Sequence, residues 1–280
     1  MKRKMFFLNW IFSLVLISIV FFGCKKDNNE KDSDTQLASD NALASKIYND
    51  VQDIADEAGN TGTVNTFIIL DEASLLSSCA TVTRYTVTVP HRITIDFSTT
   101  NCLCKDGNYR RGKIYIDFTG KYRDSSATHT ISFDNYFVND NQVSGSKTVT
   151  NNGRNSQGHL TFTIVVSGTI ILANNAGTIT WAANRTREWI AGENTIIRND
   201  DIYLITGIES GTRASGKSYS SIITKPLRME VGCQYHHFVL GTIEITPLGK
   251  ATRTLDYGSG VCDDIATVTI NGISYNIKLH

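Results

Sequence analysis

Six cysteines carry most of the chemistry that this chain's residue types allow. Cys24 stands apart near the N-terminus, and Cys79, Cys102, Cys104, Cys233 and Cys262 lie further along. The run Ile95-Asp96-Phe97-Ser98-Thr99-Thr100-Asn101-Cys102 recurs as Leu255-Asp256-Tyr257-Gly258-Ser259-Gly260-Val261-Cys262. In both, a strand ends in aliphatic-Asp-aromatic, a short polar turn follows, and then a Cys. A further Cys precedes each unit, 23 residues upstream of Cys102 and 29 upstream of Cys262. The repeat therefore pairs Cys79 with Cys102 and Cys233 with Cys262, each contributing about 3 to 4 kcal/mol on the chain-entropy account of a cross-link. Cys104 is left over, and Cys79–Cys104 is the competing pair. Cys102-Leu103-Cys104 is a C-x-C spacing, which suits neither a thioredoxin-like redox centre nor an ordinary zinc site.

The other reactive side chains read as structural. His236-His237 are adjacent, and neighbouring residues of a strand face opposite sides, so the two imidazoles cannot share one metal without a bulge. Asp256, Asp263 and Asp264 could gather carboxylate oxygens around calcium, but turn capping is the commoner role of such residues. No nucleophile elbow, phosphate loop, zinc-protease helix or calcium loop occurs, so no catalytic residue, metal ligand or cofactor is assigned. Aromatic residues are the remaining candidates. Trp181, Trp189 and Tyr203 could face a ligand, with Tyr219, Tyr235 and Tyr257 as further members, although cross-strand packing is the usual role of such rings.

The N-terminus reads as an export signal. Lys2, Arg3 and Lys4 precede an uncharged stretch from Met5 to Phe22, and Gly23-Cys24 ends it. A positive start, an apolar segment and a small residue before the cut define a secretory leader. The stretch also lies at the short end of what spans a membrane as a helix. The position of Cys24 favours cleavage: it resembles a bacterial lipoprotein signal of relaxed form, with residues 1–23 removed and Cys24 lipidated, palmitate included. The mature chain then holds 24 basic against 27 acidic residues. Residues 24–38, with Asp27, Glu30, Asp32 and Asp34, read as a flexible acidic tether.

Beyond the tether, residues 39–280 form one β-rich domain in this reading. Ser39 or Asp40 caps a helix over about 41–58, where Leu43, Ile47, Val51, Ile54 and Ala58 recur at helical spacing until Gly59. From about residue 64 the period changes to two, through a dozen segments that include Thr83–Val89, Lys113–Phe118, Leu160–Ile171 and Ser274–Leu279. Asn151-Asn152-Gly153 and Asn271-Gly272 mark turns between them. Short turns without crossover helices imply antiparallel neighbours. The expectation is an all-β fold: a long antiparallel meander forming a curved sheet or partly open barrel, with one N-terminal amphipathic helix packed on it. The repeat suggests two related β units within this body, and Tyr136–Ser146 weakly echoes Tyr203–Thr212.

Lys+Arg and Asp+Glu number 27 each, and the absence of a basic excess argues against a nucleic-acid partner. The runs Ile93–Cys102, Gly112-Lys113-Ile114, Phe133–Asn139, Lys147–Asn151 and Asp256–Gly272 resemble an uncharacterised family of Bacteroidota lipoproteins. The resemblance implies attachment to the outer membrane, on the cell surface or the periplasmic face, and carries no catalytic residues. The expected partners are the membrane, through acylated Cys24, and an unknown envelope ligand. Three functions fit: a non-catalytic lipoprotein that binds or displays a glycan, peptide or protein; a carrier with an apolar ligand under the helix; or a hydrolase with an unrecognised site. A filled interior favours the first, a hollow one the second, and a cleft of converging carboxylates or His the third.

Overall fold

The computed structural model describes residues 32–60, 80–195, 197–235 and 237–279. One helix, α1 (Gln36–Asn60), precedes fourteen strands. They are β1 (Thr81–Tyr85), β2 (His91–Asp96), β3 (Cys102–Leu103), β4 (Tyr109–Phe118), β5 (Thr128–Val138), β6 (Asn141–Arg154) and β7 (Leu160–Ile171). The second half adds β8 (Thr178–Ala191), β9 (Ile202–Thr212), β10 (Ser218–Glu230), β11 (Phe238–Pro247), β12 (Arg253–Ser259), β13 (Ile265–Ile270) and β14 (Ile273–Lys278). All belong to one antiparallel sheet in sequence order, with only the two-residue β3 off the path, paired to β4. The sheet is curved and does not close, and β1 and β14 are its edges. Short connections explain the order, because a strand linked by a turn of a few residues can pair only with its predecessor. Asn271 and Gly272 both take positive φ, 50° and 76°, which the tight β13–β14 turn requires.

Alternation along the strands places one set of side chains inward. Ile93 and Ile95, Ile114 and Ile116, Phe162, Ile164 and Val166, and Leu255 and Tyr257 are all buried on that face. Helix α1 lies against them. Tyr48, near its middle, stacks on Trp181 of β8 at 5.6 Å between ring centroids and meets Phe133 of β5 edge-on. The Tyr48 hydroxyl donates to the Ser144 carbonyl on β6 at 2.8 Å. At the far end, Arg84 of β1 donates to the carbonyls of Ala58 and Gly59. Between residues 36 and 59 only Gln36 and Gly59 are exposed. The helix is therefore a core element, a stronger burial than the one apolar stripe expected.

Three boundaries differ from the sequence reading. The helix begins at Gln36, not near residue 41, and the end of the expected tether is ordered. Asp34 accepts the Gln36 N–H at 3.3 Å, a capping contact at the positive end of the helix. Asp34 also pairs with Arg213, and Asp32 accepts from Arg253 at 2.7 Å. Burial opposes the Asp34 charge, yet Arg213 and Lys250 hold its carboxyl below the usual carboxylate range. These bases lie about 180 to 220 positions away, so local composition resembled a solvated spacer. Strand β1 ends at Tyr85, short of Val89, because Pro90 has no N–H to offer a ladder, and Val87 and Val89 are exposed in the loop. The expected beginning of the strands near residue 64 lies outside the described residues.

The two copies of the Asp-aromatic unit share their local geometry. Asp96 accepts the Ser98 N–H and Asp256 the Gly258 N–H, each at 2.8 Å, and Phe97 and Tyr257 are buried beside them. They sit near opposite edges of the sheet, on antiparallel strands, and so at opposite ends of the body.

Candidate functional site

The chemistry-bearing groups of the interior lie between α1 and the inner face of β6 to β10. Arg185 and Arg187 share the parity of Trp181, Ala183 and Trp189 on β8, which places both guanidiniums on the buried face. Arg185 Nε donates to Glu209 Oε1 at 3.0 Å, and its Nη2 donates to Ser45 Oγ of the helix at 2.9 Å. The other Glu209 oxygen accepts from Asn41 at 2.8 Å and from Ser221 at 3.2 Å. Helix and sheet thus share one buried ion pair whose lone pairs and protons are taken up on both sides. Such a pair tolerates burial only because of those partners.

A second charged group lies further along. Lys147 is 1% exposed, and its Nζ donates to the Tyr48 carbonyl at 2.8 Å. Burial pushes its ammonium down to about 8, although Asp53 and Asp56 of the helix pull the other way. Arg187 lies over the rings of Tyr203, Phe162 and Tyr122, at 4.6, 5.3 and 5.6 Å from their centroids, and pairs with Asp56 at 3.9 Å. Arg198 donates to the Asp53 carbonyl at 2.8 Å and to its carboxylate at 3.2 Å. The acidic side of the helix therefore faces a basic inner wall. Near the end of β8, Asp201 accepts from Trp189 Nε1 at 3.1 Å, and burial pushes its carboxyl up to about 6 against the pull of Arg198.

Little space remains. The cavity between Tyr48, Gln52, Lys147, Trp181, Arg185 and Arg187 has a volume of about 10 Å³, which is the size of one water. Gly168 on β7 shows how tight the contact is, since a Cβ there would stand 2.0 Å from the Tyr48 hydroxyl. The larger concavity, about 540 Å³, lies on the outer face across β7 to β11. Its floor follows one cross-strand row, Val165–Asn184–Ile208–Ile222–Glu244. Val165, Ile208 and Ile222 are each about half exposed. Ala182, Ser210, Ser220 and Thr246 form the next row, and no aromatic ring lines the groove.

The residues singled out from sequence fall as follows. Trp181, Trp189 and Tyr203 are packed in the interior and line no exposed face: they are 2%, 5% and 4% exposed. Trp181 packs under Tyr48, and Trp189 and Tyr203 are cross-strand partners 5.4 Å apart. The reason is parity, because the three rings share the inner face with the helix. Cys233 and Cys262 form a disulfide with Cα atoms 5.6 Å apart. Cys102 is disulfide-bonded and buried, while Cys104 is a buried free thiol whose Sγ lies 3.7 Å from the Cys102 carbonyl. Cys24 and Cys79, and with them the lipidation site and the Cys79–Cys102 pairing, lie outside the described residues, as does His236. His237 is buried. Asp256 and Asp263 accept backbone N–H groups two residues on, and Asp264 pairs with Lys278 at 3.2 Å. Among the described residues no group of His, Cys, Asp and Glu is arranged to hold a metal ion, and no helix is long and apolar enough to cross a membrane.

Sequence reasoning missed the buried charges, though a signal existed. Lys147 shares parity with Val143 and Val149, and Glu209 with Tyr203 and Ile205, so strict alternation already places them inward. Comparison with known proteins adds nothing further: no family model, no curated protein and no solved structure matches the chain.

Proposed function

We propose that this protein is a non-catalytic cell-envelope lipoprotein, held to the outer membrane by acyl chains on Cys24, which presents the outer face of β7 to β11 to a partner polypeptide. The observation that carries the reading is the filled interior. A carrier needs room for an apolar ligand beneath the helix, and the cavity there between Tyr48, Lys147, Trp181 and Arg185 holds about 10 Å³. The charges on that face are already committed to helix–sheet contacts, such as Arg185 to Glu209 and Ser45. Binding then falls to the outside, where aliphatic side chains stand exposed in a row flanked by hydroxyls. That mixture suits an extended polypeptide, whose side chains can meet Val165, Ile208 and Ile222 while Ser210 and Ser220 meet its polar groups. A glycan is less well served, because the groove offers no ring on which a sugar could stack.

The test is site-specific photocrosslinking in the native envelope. A photoreactive residue at Ile208 should capture a defined polypeptide, one at exposed Tyr85 should not, and Ile222→Arg should abolish the capture without lowering the melting temperature. Stoichiometric, saturable binding of a fluorescent fatty-acyl probe by the purified protein would overturn the reading in favour of a carrier. Replacing Cys24 by Ala should remove palmitate labelling, and an unchanged label refutes the anchor.

A further inference from the structure

We propose that the turn between β11 and β12, residues 248–252, rests on the surface of the membrane that anchors the protein, with Leu248 in the interfacial layer. The proposal takes the acylated Cys24 from the reading above and adds which end of the body meets the bilayer. Leu248 is 85% exposed, the most exposed large apolar side chain among the described residues. One exposed leucine is ordinary on a protein surface, so its surroundings carry the argument.

The chain enters the fold at this turn. Lys250, two residues from Leu248, places its Nζ 3.6 Å from Asp32 and 3.7 Å from Asp34. Arg253, at the start of β12, donates to the Asp32 carboxylate and to the Asp34 carbonyl at 2.7 and 3.2 Å. Asp32 is only eight positions after Cys24. Even fully extended, that stretch reaches about 28 Å at ~3.5 Å per residue. The longest strands have 14 residues, which at ~3.3 Å per residue gives a body about 46 Å long. The linking stretch is thus shorter than the body and joins it at one end, which bounds the distance from that end to residue 24 at about 28 Å.

The Leu248 N–H donates to the Ser218 carbonyl at 3.0 Å, which joins the turn to its neighbour between β9 and β10. Residues 213–217 and 248–252 together hold Arg213, Lys217 and Lys250; Arg213 pairs with Asp34 and Lys250 with Asp32 and Asp34, and Lys217 and Lys250 are exposed. An exposed apolar side chain with the exposed Lys217 on the adjoining turn suits an interfacial contact in which the lysine meets the headgroups. Val87 and Val89 are also exposed, but their loop lies at the opposite end of the strands and carries no tether.

The experiment uses the acylated full chain in vesicles of phosphatidylglycerol and phosphatidylethanolamine containing brominated acyl chains, which quench tryptophan on contact. Tryptophan is introduced at Leu248→Trp and, as a control, at Val87→Trp, with the buried Trp181 and Trp189 as the parent baseline. At least twofold quenching at position 248, with less than a 1.2-fold change at 87, is the expected result. Equal emission at the two positions overturns the proposal. A blue shift at 248 that follows protein density rather than lipid also overturns it, and assigns the turn to a second copy of the chain. The mass of the N-terminal peptide separates the two levels. An acylated Cys24 with no quenching removes this inference alone, whereas an unmodified Cys24 without vesicle binding removes the anchor as well.

Discussion

Lys147 offers the sharpest test of the buried charge network, because removing it should make the protein more stable. The ammonium is lowered from the ordinary 10.5 to about 8 by burial. At about 1.4 kcal/mol per pH unit, the folded state spends ~3 kcal/mol at neutral pH to keep this group charged. Lys147→Met fills nearly the same volume without the charge. It gives up the donation to the Tyr48 carbonyl, about 1 kcal/mol; the attraction of Asp53 and Asp56 is already contained in the lowered value. The variant should therefore be about 2 kcal/mol more stable at pH 7 by urea denaturation. The pH dependence has a definite sign. Between about 8 and 10.5 the unfolded chain binds more protons at this site than the folded one, so stability rises with pH there. From pH 8 to 9.5 the parent should gain about 2 kcal/mol, and Lys147→Met should gain nothing. Stopping at 9.5 keeps clear of the buried tyrosines, whose hydroxyls burial pushes up and whose effect begins as unfolded tyrosines ionise near 10. A variant less stable than the parent at pH 7, or a parent whose stability is flat over this window, refutes the reasoning.

Two further predictions follow from the same wall. Arg185→Met should destabilise by about 3 to 5 kcal/mol, because it leaves Glu209 charged and buried without its cation; adding Glu209→Leu should recover much of the loss, as read from the denaturation midpoint of the double variant. Gly168→Ala should cost about 1 to 3 kcal/mol by overpacking against Tyr48, whose ring carbons would stand 2.2 and 2.6 Å from the new methyl; in a double-mutant cycle the Gly168→Ala penalty should shrink when Tyr48→Ala removes the ring, whereas Tyr48→Phe should leave most of it.

The meander was legible because most strands carry their own alternation and most turns their own glycine or asparagine, so the pairing order follows from local signals. Asn271-Gly272 and the Asp96 and Asp256 turns are of this kind. The depth of the helix was not legible in the same way. Asp40, Asp50 and Asp53 look like a solvent face within α1, and distant partners that no local pattern reveals meet them there: Asp40 accepts the Ala214 N–H, and Asp53 accepts from Arg198. The same long-range pairing hid the ordered Asp32 and Asp34, which Arg213 and Arg253 hold in place. The inward position of Trp181, Trp189 and Tyr203 has a related reason: aromatic rings on a half-buried strand can serve either face, and here the helix occupies the face they share.

The central claim is that α1 is the core of the body and not a lid over a cavity. Native-state hydrogen exchange measures this directly. The backbone amides of α1 between Ala44 and Ile54 should exchange only by global unfolding, with the same opening free energy and denaturant dependence as β7 and β8. Exchange in that segment several kcal/mol easier than in the two strands would show that the helix opens on its own, and would contradict the account.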